Sequence, residues 1–226
     1  MKKIAYIGPS WALRSFDTPE GSEEKFTNLT LELKLDVTNL ADFGTSNISC
    51  LNKLLYENQH RKFDAVIWVY CNILHDIPQL LPITKRQFIE SENFWSIREE
   101  ANQQILAKIN NLYCPVALIG ASSDIVNCDY PNITVIHPSW QKFLADQVGV
   151  KLEHGWEAEV AHRWILQDER GAKPSRELVF KTSETLRAWN KMDMLGVFNF
   201  CHPNRKGNEL FAKEIKSSVY SFINHL

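Results

Sequence analysis

Between Asp64 and Tyr70 the chain reads Ala65-Val66-Ile67-Trp68-Val69, apolar without interruption. A strand with one wet face alternates apolar and polar residues. An unbroken run has to be buried on both faces, which is the place of a central strand in a parallel sheet covered by helices. Ile4–Ile7 before Gly8-Pro9, Pro115–Ile119 before Gly120, and Ile133–Ile136 are runs of the same kind. Leu35–Phe43 carries Val37, Leu40 and Ala41, stops at Gly44, and predicts a further strand.

Helical spacing fills the intervals. Glu20–Leu33 places Phe26, Leu29 and Leu33 on one side. Ser46 or Asn47 is placed to cap a helix with Ile48, Leu51, Leu54 and Leu55 on one face. Ser91–Leu112 repeats Phe94, Ile97, Ala101, Ile105 and Ile109, and Lys206–Leu226 repeats Leu210, Phe211, Ile215, Val219 and Phe222. Strands alternating with helices predict an α/β protein: a three-layer α/β/α sandwich around a central parallel five-stranded sheet. Asn72–Gln87, with Pro78 and Pro82, reads as a loop over the edge of the site. Gly155–Phe198, rich in Trp and charge, reads as a part-helical insertion or lid (155–198).

A length of 226 residues suits one core, so one domain spanning 1–226 is expected. Hydrophobic residues at 44% exclude disorder as the main state. A net charge of −2 gives no support to a nucleic-acid or membrane-surface partner. No apolar run approaches the roughly 18 residues of a membrane span. The apolar stretch after Lys2-Lys3 is shorter than the roughly 7 to 15 residues of a secretory signal, so a cytoplasmic location is expected. Cys50, Cys71, Cys114, Cys128 and Cys201 are odd in number and form no CxxC pair. That argues against a disulfide framework and for a reducing compartment, and no Cys/His spacing suggests zinc.

In such a sheet the chemistry collects at the carboxyl ends of the strands. Ser10 follows the first strand, Gly44 the second and Asn72 the third. His202 stands in Cys201-His202-Pro203-Asn204, before the last helix. Singly each is an ordinary turn or cap residue; together they fall in one order along one edge.

That order resembles the SGNH (GDSL-type) hydrolase superfamily, whose four blocks spread over nearly the whole chain. Gly8-Pro9-Ser10-Trp11 is similar to its Gly-Asp-Ser block, Gly44 to its glycine after strand two, Tyr70-Cys71-Asn72-Ile73 to Gly-x-Asn-Asp, and Asn199 to Gly207 to Asp-x-x-His-Pro-Asn-x-x-Gly. Pro9, Tyr70, Ile73 and Asn199 depart from the pattern. The resemblance implies a flavodoxin-like fold and a serine esterase or acylhydrolase needing no metal or cofactor. Its substrate would be a small-molecule or carbohydrate ester, with an O-acetyl sugar as one such case. It implies Ser10 as nucleophile, His202 as general base, Asn199 in the third catalytic position, and an oxyanion hole from the N–H groups of Ser10 and Gly44 and the amide of Asn72. In that role a side chain at position 44 would crowd the approach of an acyl carbonyl, which accounts for a glycine there.

Asn199 leaves three arrangements open. It orients His202 as a neutral partner, another acid such as Asp193 does so, or Ser10 and His202 act as a dyad with a backbone carbonyl. A non-catalytic binding or structural module and an acyltransferase using the same site are the alternatives. Other features carry blander readings. Cys71 and Cys201 flank site residues as small fillers, His75-Asp76 and His137-Pro138-Ser139 read as caps, and Gly120 to Asp124 reads as a turn. Trp140, Trp156, Trp164 and Trp189 read as packing or as a sugar-stacking wall.

Overall fold

A computed structural model describes residues 2–13, 28–70, 73–122, 124–152, 171, 173–174, 176–199 and 202–226. Its main sheet is built from β1 (Ile4–Ile7), β2 (Thr38–Asn39), β3 (Ala65–Tyr70), β4 (Val116–Gly120) and β5 (Ile133–His137). All neighbours are parallel, in the order β2-β1-β3-β4-β5. This is the flavodoxin-type doubly wound order, whose winding reverses at β1 and β3 and leaves a crevice outside their carboxyl ends.

Every residue of β1, β3 and β4 is buried. Period-2 alternation sends successive side chains to opposite sides. Ala5, Ile7, Val66, Trp68, Tyr70, Val116 and Leu118 enter one core. There they meet Leu54 of α3 (Asn47–Arg61) and Ala101, Ile105 and Ile109 of α6 (Phe94–Asn110). Ile4, Tyr6, Ala65, Ile67, Val69, Ala117 and Ile119 enter the other. That second core is closed by α7 (Trp140–Gln147), α8 (Arg176–Met194) and α9 (Arg205–Asn224). The molecule is therefore a three-layer α/β/α sandwich, and no helix among the described residues is long and apolar enough to cross a membrane.

Two expectations need correction. The strand predicted over Leu35–Phe43 pairs with β1 only at Thr38–Asn39, although the Leu40 N–H still donates to the Tyr6 carbonyl at 2.7 Å. Leu35, Val37 and Ala41 satisfy their apolar character by packing into the second core rather than by extending the ladder. Asn72–Gln87 is not a plain loop. It holds a 3-10 turn (Ile73–His75), α4 (Ile77–Leu80) and the start of α5 (Lys85–Glu90). Pro78 opens α4, where a missing N–H costs nothing, and Thr84 with Gln87 forms a capping box on α5.

The predicted insertion is in part a core element, since Ala188, Trp189 and Met192 of α8 are buried beside β1 and α9. Its stretch 153–170 lies outside the described residues. Of the helix predicted over Glu20–Leu33, the described part is α2 (Leu29–Glu32), which buries Leu29; α1 is the four-residue turn Ser10–Leu13.

Candidate functional site

β1 delivers Ser10. The strand ends at Ile7, Gly8 and Pro9 turn the chain, and the Ala12 N–H closes the first helical turn onto the Pro9 carbonyl at 2.8 Å. Gly8 is required by space. A Cβ there would lie 2.7 Å from the Val69 carbonyl oxygen and 2.9 Å from the Ala12 Cβ, closer than real atoms pack. Trp11 anchors the turn from below. Its ring meets Trp140 edge-on at 5.8 Å and Phe198 at 5.5 Å, and Trp140 stacks on Phe211 at 4.5 Å. The hydroxyl of Ser10 is left half-buried at the carboxyl edge of the sheet.

His202 arrives from the far end of the sequence on a two-stranded antiparallel hairpin, β6 (Phe198–Asn199) and β7 (His202–Pro203). The start of α9 fixes the hairpin. The Asn204 side chain caps that helix by accepting from the Gly207 N–H at 3.0 Å, and the Asn204 N–H donates to the Val197 carbonyl at 3.3 Å. The buried Asn208 amide donates to the carbonyl of Asn204 at 3.0 Å. α9 buries Phe211, Ile215 and Val219, so core packing holds the hairpin against the sheet.

The two side chains meet: Ser10 Oγ lies 2.7 Å from His202 Nε2. With the ring proton on Nδ1, the hydroxyl donates to Nε2, which is the arrangement in which imidazole can accept the serine proton. The Trp11 ring lies 6.1 Å from the imidazole, at a tilt of 46°, so one side of His202 faces an aromatic wall.

Asn199 stands opposite His202 in the hairpin register and is half-buried. Among the described residues no hydrogen bond joins its side chain to the imidazole. Asp193 is an exposed residue in the last turn of α8. Asn72, Cys71 and Cys201 lie outside the described residues, as do Trp156 and Trp164.

Gly44 sits in a loop that docks beside Ser10. The Asp42 N–H and the Thr45 hydroxyl both donate to the Gly8 carbonyl, at 3.1 and 3.4 Å. Its φ of +62° is left-handed, and a Cβ there would meet no protein atom within 4 Å. The glycine is thus demanded by backbone conformation. Gly44→Ala is expected to cost about 1 kcal/mol, and Gly44→Asn less, because Asn visits this region more readily. Paired thermal melts check this ranking, and equal melting temperatures for both variants and the parent would contradict it.

Asp76 has a larger role than the loop cap read from the sequence. It is fully buried. Its Oδ2 accepts from the Asn47 N–H at 3.1 Å and from the Asn47 side-chain amide at 2.9 Å, and its Oδ1 accepts from the Ile48 N–H at 2.8 Å. Burial pushes its carboxyl above the usual range, while these hydrogen bonds and one from Ser46 pull it back. The signal in the sequence is faint: an acidic residue one place before Ile77-Pro78, 29 positions from its partner.

The remaining candidates fall into packing roles. His137 Nδ1 accepts from the Ser139 N–H at 3.1 Å, and its ring lies against Phe143 and Phe211. Burial pushes its pKa down, against the pull of Glu214. Ser139 caps α7. Trp140 and Trp189 are buried, and the Trp189 indole donates to the Gln141 side chain at 2.6 Å. The turn after β4 is tied to α7, since the Gln141 amide donates to the Ser122 carbonyl at 3.1 Å. No cluster of three or more metal-ligating side chains occurs among the described residues.

Comparisons with protein-family models, with curated proteins and with solved structures give no match to this chain. Fold and geometry together define a class in outline: a doubly wound α/β/α protein that presents a serine hydroxyl on an imidazole at the carboxyl edge of its sheet.

Proposed function

We propose that this chain is a serine hydrolase of the SGNH type that cleaves an ester through an acyl-enzyme on Ser10. The carrying observation is the 2.7 Å approach of Ser10 Oγ to His202 Nε2, at the edge where a doubly wound sheet collects its ligands. A serine hydroxyl is a weak nucleophile until a base takes its proton in the attack. In this reading His202 accepts that proton and returns it to the leaving alcohol. Water then enters, gives a proton to the imidazole and releases the acid. The Ser10 and Gly44 N–H groups and the Asn72 amide serve the oxyanion, each donor being worth about 10² to 10³ in rate. A carbohydrate O-acetyl ester is the first substrate class to try.

The test is uptake of a fluorophosphonate by the folded chain, read as a single added mass on Ser10, beside turnover of p-nitrophenyl acetate. Both are expected. Absence of both in folded protein would remove the hydrolase reading and leave the binding module, which Asn199 in place of the expected Asp favours. Acetylated sugars offered with alcohol acceptors separate transfer from hydrolysis.

A further inference from the structure

We propose that Asp76 is a positioning residue that sets the Gly44 loop for the reaction at Ser10, a role that rests on the ester-cleaving reading above. The loop from Asp42 to Ile48 is held at two ends. At one end Asp42 and Thr45 hydrogen-bond to Gly8, two places before Ser10. At the other, the Asp76 carboxylate takes three N–H donors from Asn47 and Ile48, the first turn of α3. Gly44 lies between Asp42 and Thr45, the two residues bound to Gly8, and three places before Asn47.

Asp76 itself belongs to the segment that leaves β3. Its N–H donates to the Ile73 carbonyl at 2.8 Å, and its carbonyl accepts from the Gln79 N–H at 2.8 Å. Gln79 reaches back to the Ser46 hydroxyl at 3.2 Å, and the Trp68 indole of β3 donates to the Asn47 side-chain carbonyl oxygen at 3.3 Å. One carboxylate therefore fastens the segment after β2 to the segment after β3, across the strand that carries Ser10. The three N–H partners are all donors, as is the Ser46 hydroxyl, so a group that only accepts suits the place. An amide in its stead would turn an NH₂ group toward at least one of those N–H groups.

Displacing an oxyanion donor by about an ångström costs on the order of 10² in rate without much change in ground-state binding. Asp76→Asn is therefore expected to lower kcat on p-nitrophenyl acetate, and the rate of fluorophosphonate uptake, about 100-fold, with KM changed less than threefold. Ile109→Ala, in the α6 core, serves as a destabilised control and is expected to keep kcat at 25 °C. Asn47→Ala deletes one of the three N–H hydrogen bonds to the carboxylate, together with the acceptor of the Trp68 indole, and covers the case in which Asp76→Asn does not fold; a loss of roughly tenfold is expected. If the wild-type chain reacts and the folded Asp76 or Asn47 variants react within threefold of it, or Ile109→Ala loses as much kcat, the positioning role is overturned alone. If the wild-type chain itself takes up no probe and turns over no ester, the hydrolase reading falls and the role falls with it.

Discussion

Ser10→Ala is expected to abolish both fluorophosphonate uptake and ester turnover, with kcat reduced on the order of 10⁴-fold or more, while the fold is retained. The hydroxyl's hydrogen bond is to His202, and the position is half-buried at the start of a short helical turn. Its removal costs about 1 kcal/mol at most in hydrogen bonding, and Ala suits the helical turn at least as well as Ser. Stability and reactivity should therefore separate. His202→Ala should lose turnover to a similar degree, because serine without its base is an ordinary alcohol. The double variant should lose little more than either single one, since residues that act as a unit are not additive. A Ser10→Ala protein that melts like the parent and still cleaves p-nitrophenyl acetate would place the chemistry elsewhere.

Gly207→Ala is expected to disturb stability and site together. A Cβ on Gly207 would collide with the Val197 carbonyl oxygen and would lie 3.2 Å from Leu144 Cδ1. The same carbonyl accepts from the Asn204 N–H, so it belongs to the joint between the hairpin and α9. Ala would gain up to about 1 kcal/mol in helix propensity. Overpacking against backbone costs about 1–3 kcal/mol, and no side-chain rotation relieves it. A net loss of about 1–2 kcal/mol corresponds to a drop of roughly 2–8 °C in Tm for a chain of this size. The strained joint carries His202, so turnover should fall even well below the melting temperature. An unchanged Tm with full activity would show that α9 can slide away from Val197 freely.

The strands are legible because β1, β3 and β4 are buried at every position and read as unbroken apolar runs, and β1 and β4 also stop at a glycine, leaving little choice of place. β2 is less so. An edge strand with half-exposed residues shares its apolar pattern with a coil that packs against a helix, and Leu35 to Ala41 mixes the two. Asn72–Gln87 misleads because two prolines suggest a loop, whereas Pro78 stands where proline starts a helix.

The site divides in the same way. Local turn chemistry puts Ser10, Gly44 and His202 each at an edge, but nothing local brings positions 10 and 202 to 2.7 Å. Only the resemblance of separated blocks suggests that meeting. Asp76 reads as no more than a cap because its partners belong to another crossover, and a buried carboxylate leaves no periodic trace. At Gly44 the left-handed backbone is a further reason for the residue type, one that turn spacing alone does not show.

The hydroxyl and the imidazole are 192 positions apart, and the hairpin that carries the imidazole is held by the final helix. On the proposed reading, a ribosome-bound chain carries an inert alcohol until the hairpin and α9 have emerged and docked. Synthesis and competence are then timed together: a product clipped at Gly196 would keep all five main-sheet strands and Ser10, yet would be dormant.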